Sequence, residues 1–64
     1  MSLEAGQLVK LNRNKGQCKK GEMFKVVRVI GFLAVIKSTV TNDEYFVYKY
    51  SSRLDLIGKG GFHI

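Results

Sequence analysis

Met23-Phe24-Lys25-Val26-Val27-Arg28-Val29-Ile30-Gly31-Phe32-Leu33-Ala34-Val35-Ile36-Lys37 is the most apolar run of the chain, and its reading decides the fold. Val26, Val27, Val29, Ile30, Val35 and Ile36 are β-branched, and Phe24 and Phe32 are aromatic. Such side chains favour a pleated, half-buried surface. Period alone leaves a short apolar run ambiguous between strand and helix. Gly31 arbitrates: inside a helix it costs ~1 kcal/mol against Ala, whereas in a tight turn between strands its conformational freedom is an asset. The run is therefore expected to form two adjacent, mostly buried strands at the centre of a small β-barrel. It carries Arg28 and falls short of the ~20 apolar residues of a membrane span, so no membrane association is expected.

Working outward, residues 1–5 read as a loose N-terminus. Gly6 precedes a short first strand, Gln7-Leu8-Val9-Lys10-Leu11, in which Leu8 and Lys10 face one side and Val9 and Leu11 the other. Residues 12–21 form a long loop punctuated by Asn12, Asn14, Gly16 and Gly21. After the central pair, Ser38-Thr-Val-Thr-Asn-Asp-Glu44 holds the next turn, placed at Asn42-Asp43, whose side chains can bond nearby backbone. Tyr45-Phe46-Val47-Tyr48-Lys49-Tyr50 is a fourth strand rich in β-formers. Phe46 and Tyr48 share one of its faces, and Phe46 is assigned to the core with Phe24, Val26 and Ile36. Ser51-Ser52-Arg53 is a polar break suited to a short 3₁₀ turn, and Leu54-Asp55-Leu56-Ile57 a short closing strand. Residues 58–64, with three glycines in seven positions, read as a mobile tail.

The chain has 64 residues, which makes it one domain with a thin core. The single cysteine, Cys18, excludes an internal disulfide framework and suits a reducing compartment. The start shows no charged n-region followed by an apolar h-region, so no signal peptide and a cytoplasmic location are expected.

Two segments carry a family resemblance. Lys19-Lys20-Gly21-Glu22-Met23-Phe24-Lys25-Val26-Val27 is similar to the SH3 stretch in which a Lys-Lys-Gly-Asp turn feeds the second strand. Tyr48-Lys49-Tyr50-Ser51-Ser52-Arg53-Leu54-Asp55-Leu56-Ile57 resembles the SH3 end, where a short 3₁₀ turn precedes the last strand. The resemblance spans roughly residues 7–57. It implies an all-β, five-stranded SH3-like barrel over residues 6–57, with a long basic first loop and a 3₁₀ turn before the last strand. Peptide-binding SH3 domains line their grooves with tyrosine, tryptophan and proline. This chain has no Trp and no Pro, and its first loop is basic where theirs is acidic, so a polyproline ligand is not expected. The remaining analogues are small barrels of transcription, translation and RNA-handling factors, and phage- or plasmid-type accessory proteins.

Charge carries the functional expectation. The formal net charge is +6, from 11 basic and 5 acidic residues, a balance that attracts nucleic acid or acidic proteins. Arg13, Lys15, Lys19 and Lys20 crowd the first loop with no acid among them, and Lys25, Arg28, Lys37 and Lys49 add charge along the barrel wall. Tyr45, Tyr48 and Tyr50 are candidate platforms for unpaired bases. The leading expectation is a small nucleic-acid-binding module, RNA or DNA, contacting phosphates through residues 13–20. The alternative is a protein-interaction module, such as a phage-type regulator, docking on an acidic surface of a larger protein. Cys18 and His63 are the only Cys and His, so no protein-only Cys/His zinc site is expected within one chain. Gly58-Lys59-Gly60-Gly61 lacks the spacing of a phosphate-binding loop, and Asp43-Glu44 has no acid–base partner. No catalytic residue, metal or cofactor is therefore expected, and the protein is not read as an enzyme.

Overall fold

The central run folds as the hairpin its composition dictates. In a computed structural model that describes residues 2–59, the chain forms β1 (Gln7–Leu11), β2 (Met23–Ile30), β3 (Leu33–Ser38), β4 (Glu44–Tyr48) and β5 (Leu54–Lys59). Ile30 pairs with Leu33, leaving Gly31-Phe32 as a two-residue turn. Gly31 has φ +60° while Phe32 stays at negative φ, the pattern of a type II′ hairpin turn. The next turn also falls where expected: Asn42 has φ +65°, and Ser38 N donates to Asp43 O.

All strands pair antiparallel in one sheet of order β4-β3-β2-β1-β5. β4 and β5 are its two edges, and among the described residues no ladder joins them. None of the described residues forms a helix long and apolar enough to cross a membrane. The break before β5 is a hydrogen-bonded turn in which Ser51 N donates to Tyr48 O.

One face of the sheet holds the core: Val9, Leu11, Phe24, Val26, Ala34, Ile36 and Leu54 are buried together, with Val29, Tyr45 and Val47 packed against them. Strict alternation along β2 would send Arg28 inward behind Phe24 and Val26. A bulge between Val26 and Arg28 prevents this; it sets Arg28 opposite Val35 on the outer face and turns Val29 toward Ala34 on the inner one.

Four sequence readings change. β2 is not mostly buried: of its eight residues only Phe24 and Val26 are. Phe46 is not core: it is 65% exposed, and Tyr45 and Val47 fill its expected place. β4 has apolar or aromatic side chains on both parities, and pairing decides between them. Ile36 pairs with Tyr45 and Ala34 with Val47, so Phe46, opposite Val35, is outside. The N-terminal segment is not loose over its described residues: Leu3 is 2% exposed within the core, its N–H donates to Lys49 O at 2.8 Å, and Gly6 N donates to Val26 O at 2.8 Å. Finally, β5 runs two residues beyond the expected boundary at Ile57, to Lys59. The rest of the predicted tail, residues 60–64, lies outside the described residues.

Two substitutions test this architecture by chemical denaturation. Val26 is fully buried, so Val26→Asp should abolish the cooperative transition, because an unpaired buried charge costs more than so small a core supplies. A Cβ at Gly31 would meet nothing within 4 Å. Gly31→Ala should therefore lose about 1–2 kcal/mol through backbone strain alone; an unchanged midpoint would refute the assigned turn.

Candidate nucleic-acid interface

The outer face of the sheet is laid out in rows that run across the strands. Ile30, Leu33 and Tyr48 form one row, and Arg28, Val35 and Phe46 the next. The third runs Leu8, Lys25, Lys37 and Glu44. Directly opposed like charges destabilise an antiparallel pair, and Lys25 faces Lys37 across β2 and β3 with Leu8 on its other side. Glu44 offsets Lys37 alone. Val35 is 1% exposed although it sits on this outer face, between Arg28 and Phe46. Phe46 and Tyr48 are exposed on this face, the latter 54% exposed.

The eight predicted cations do not form one patch. Lys25, Arg28 and Lys37 share the outer face. Arg13, Lys15, Lys19 and Lys20 sit, exposed, on the β1–β2 loop at the end of the sheet where β5 begins. That loop is a tied structure. Lys15 and Cys18 form a two-way backbone bridge, each bond 2.9 Å, and Lys20 N donates to Asn14 Oδ1 at 2.8 Å. Asn12 Nδ2 donates to Ser52 O and Asp55 Oδ1 at 2.8 and 3.0 Å, fastening the loop to β5. Ser38 Oγ donates to Glu22 Oε2 at 3.1 Å and accepts from Val40 and Thr41 N–H, fastening it to the β3–β4 turn. The backbone that carries the four loop cations is therefore a braced segment. Lys49 stands apart from both groups, its ammonium 5.2 Å from the centre of the Tyr50 ring.

The three tyrosines differ in the same way. Tyr45 is turned inward and half-buried, its ring edge-on to Phe24 at 5.9 Å, and it lines the cleft between the sheet edges rather than the outer face. Hydrogen bonding with Cys18, then burial and the nearby negative charges of Asp43 and Glu22, hold its phenol above the ordinary value. Tyr50 already receives Lys49 on its ring and meets Tyr48 at 5.3 Å. Tyr48 is the tyrosine on the open outer face. Phe46, two residues earlier on the same strand, joins it there; assigning Phe46 to the core concealed this pair in the sequence.

Between the two sheet edges lies a cleft of about 330 Å³, walled by Leu11, Phe24, Ile36, Val47 and Leu54. Lys15, Arg53 and Phe46 also border it. Phe46 thus stands where the outer face meets the cleft, and it links the wall cations to the loop cations. Among the described residues no cluster of His, Cys, Asp or Glu is arranged to hold a metal ion.

The inward and outward parities of β4 have different stability signatures. Tyr45→Ala should cost about 2 kcal/mol, below the usual range for deleting a fully buried aromatic because the ring is half-buried. Tyr48→Ala should stay within about 0.5 kcal/mol. Urea melts of the two variants check the assignment, and the reverse order would place Tyr48 inside. Compared with protein-family models, with characterised proteins and with solved structures, the chain matches none.

Proposed function

We propose that the protein is a nucleic-acid-binding module rather than an enzyme, acting in the cytoplasm, and that its sheet is an SH3-like barrel with a seam between β4 and β5. The sheet order, in which β5 lies beside β1 and the other strands follow as a meander, supports the barrel reading. One observation carries the binding reading: Lys25 and Lys37 are directly paired on the face that also carries Arg28 in the next row, and Lys25 has no acid across from it on either neighbouring strand. A sheet that opposes two lysines bears a repulsion that a polyanion relieves. Phosphates supply that counter-charge, and the cations of the β1–β2 loop extend the track.

A second reading has its own support. Ile30, Phe32 and Leu33 are exposed around the Gly31 turn, and an exposed apolar cluster beside positive charge also suits an acidic protein partner with an apolar centre. Salt dependence separates the two. A nucleic-acid complex loses affinity linearly in log K against log salt, with a slope of ~0.7 per phosphate neutralised on a single strand and ~0.9 on a duplex.

Titration of labelled single-stranded RNA and duplex DNA at several salt concentrations tests the proposal. Replacing Lys25, Arg28 and Lys37 together with Gln should flatten the slope by about two to three units and weaken binding to all sequences alike. Replacing Arg13, Lys15, Lys19 and Lys20 with Gln should flatten it further, with the melting transition preserved. Absence of binding at low salt, together with capture of one defined acidic protein, would favour the second reading instead.

A further inference from the structure

We infer that the ligand is single-stranded nucleic acid whose bases stack on Phe46 and Tyr48; the inference rests on the nucleic-acid reading above and specifies its substrate. Phe46 is 65% exposed and Tyr48 54% exposed, on an outer face whose other exposed groups include Arg28 and Lys25. Leaving two large aromatic side chains this exposed forgoes the gain of burying them; Phe46 and Tyr48 remain more than half exposed even with Tyr48 meeting Tyr50 edge-to-face at 5.3 Å. Every base has a π-face, so such rings accept bases without regard to sequence. A duplex keeps its bases stacked inside and presents only groove edges and phosphates to a flat sheet. A single strand can splay its bases outward.

The spacing supports the same strand form. Residues i and i+2 of a strand lie ~6.6–6.8 Å apart, twice the ~3.4 Å rise of stacked bases along a strand. Phe46 and Tyr48 therefore take two successive unstacked bases, one per ring. The backbone joining these bases has cations on both sides. Arg28 shares the row of Phe46 on the outer face, and Lys15 and Arg53 border the cleft that Phe46 also borders. A strand running along β4 over Phe46 and Tyr48 thus has the wall cation Arg28 on one side and the loop cations near its Phe46 end.

Phe46 is paired with the buried Val35 across β3 and β4, so two variants separate stacking from packing. Phe46→Leu keeps an apolar cover without a π-face. Phe46→Trp keeps the face and introduces the sole indole into a chain that has no Trp. Anisotropy titrations would use labelled 12-nucleotide single-stranded RNA, the same sequence as single-stranded DNA, and the matching DNA duplex, at low salt. The expected result is preference for both single strands over the duplex. Phe46→Leu and Tyr48→Ala should each weaken single-strand binding by roughly 5- to 150-fold, the range implied by loss of one base stack, and leave weak duplex binding unchanged. Phe46→Trp should retain single-strand affinity, and its fluorescence should be quenched by single strands and not by the duplex. Equal binding of duplex and single strands, or single-strand binding indifferent to Phe46→Leu and Tyr48→Ala, would overturn the stacking inference while leaving phosphate binding in place. No binding of any oligonucleotide by the wild-type protein would overturn both.

Discussion

The two-residue turn at Gly31 fixes the parity on which everything else in this sheet depends. Pairing Ile30 with Leu33 sets the β2–β3 register. A slip of one residue would exchange the faces of a whole strand. Val26 would leave the core if β2 moved, or Ile36 if β3 moved, and the neighbouring lysine would enter it. A chain of this length has one core and little reserve stability, so it could not tolerate that exchange. The bulge beyond Val26 corrects the parity once more and keeps Arg28 in water. Through the pairing of β3 with β4, the same register then decides that Tyr45 goes in and Phe46 goes out.

Much of this was legible in the residues. A β-branched run broken by one glycine specifies a hairpin, and the structure has the turn at that glycine. Asn42 sits at positive φ in the next turn, as its tolerance of that region suggests. β1 has the expected bounds and faces. The parity of β4 was not legible, because Tyr45, Phe46, Val47 and Tyr48 present apolar or aromatic groups on both sides of the strand. Only the partner strand chooses between them, and pairing is not a local property. Leu3 was hidden for a different reason: a lone leucine in a polar segment has no period, and its burial depends on bonds to distant residues near Lys49 and Val26. The cations were legible as a set, but not their division into a wall group and a loop group, which follows from the sheet register and from the bonds of Asn12 and Glu22.

Those bonds bear on how charge is presented. A flexible loop would bring lysines to a ligand at a cost in conformational entropy. Here the loop is tied at both ends by side chains that carry no positive charge: Asn12 holds β5, and Glu22 holds Ser38. Charge placement and loop support are thus assigned largely to different residues, Arg13 alone joining the two through its Nε, which donates to Asn12 Oδ1 at 3.3 Å. The cations can then be altered with little effect on the brace, and the brace itself opens to mutation through Asn12 or Ser38.

The pairing of β1 with β5 also orders the assembly of the sheet. The β2–β3 hairpin closes through two intervening residues, whereas β5 returns to β1 from about forty residues away. Each doubling of loop length adds only about 0.6 kcal/mol of closure entropy, so the later pairing carries roughly 2–3 kcal/mol more. The meander β2-β3-β4 can nucleate locally, and β5 then docks onto an edge that already exists. Truncating Val26 should therefore slow folding, and truncating Leu54 should mainly speed unfolding. The strand that completes the sheet is the one whose side chains govern how long it stays complete.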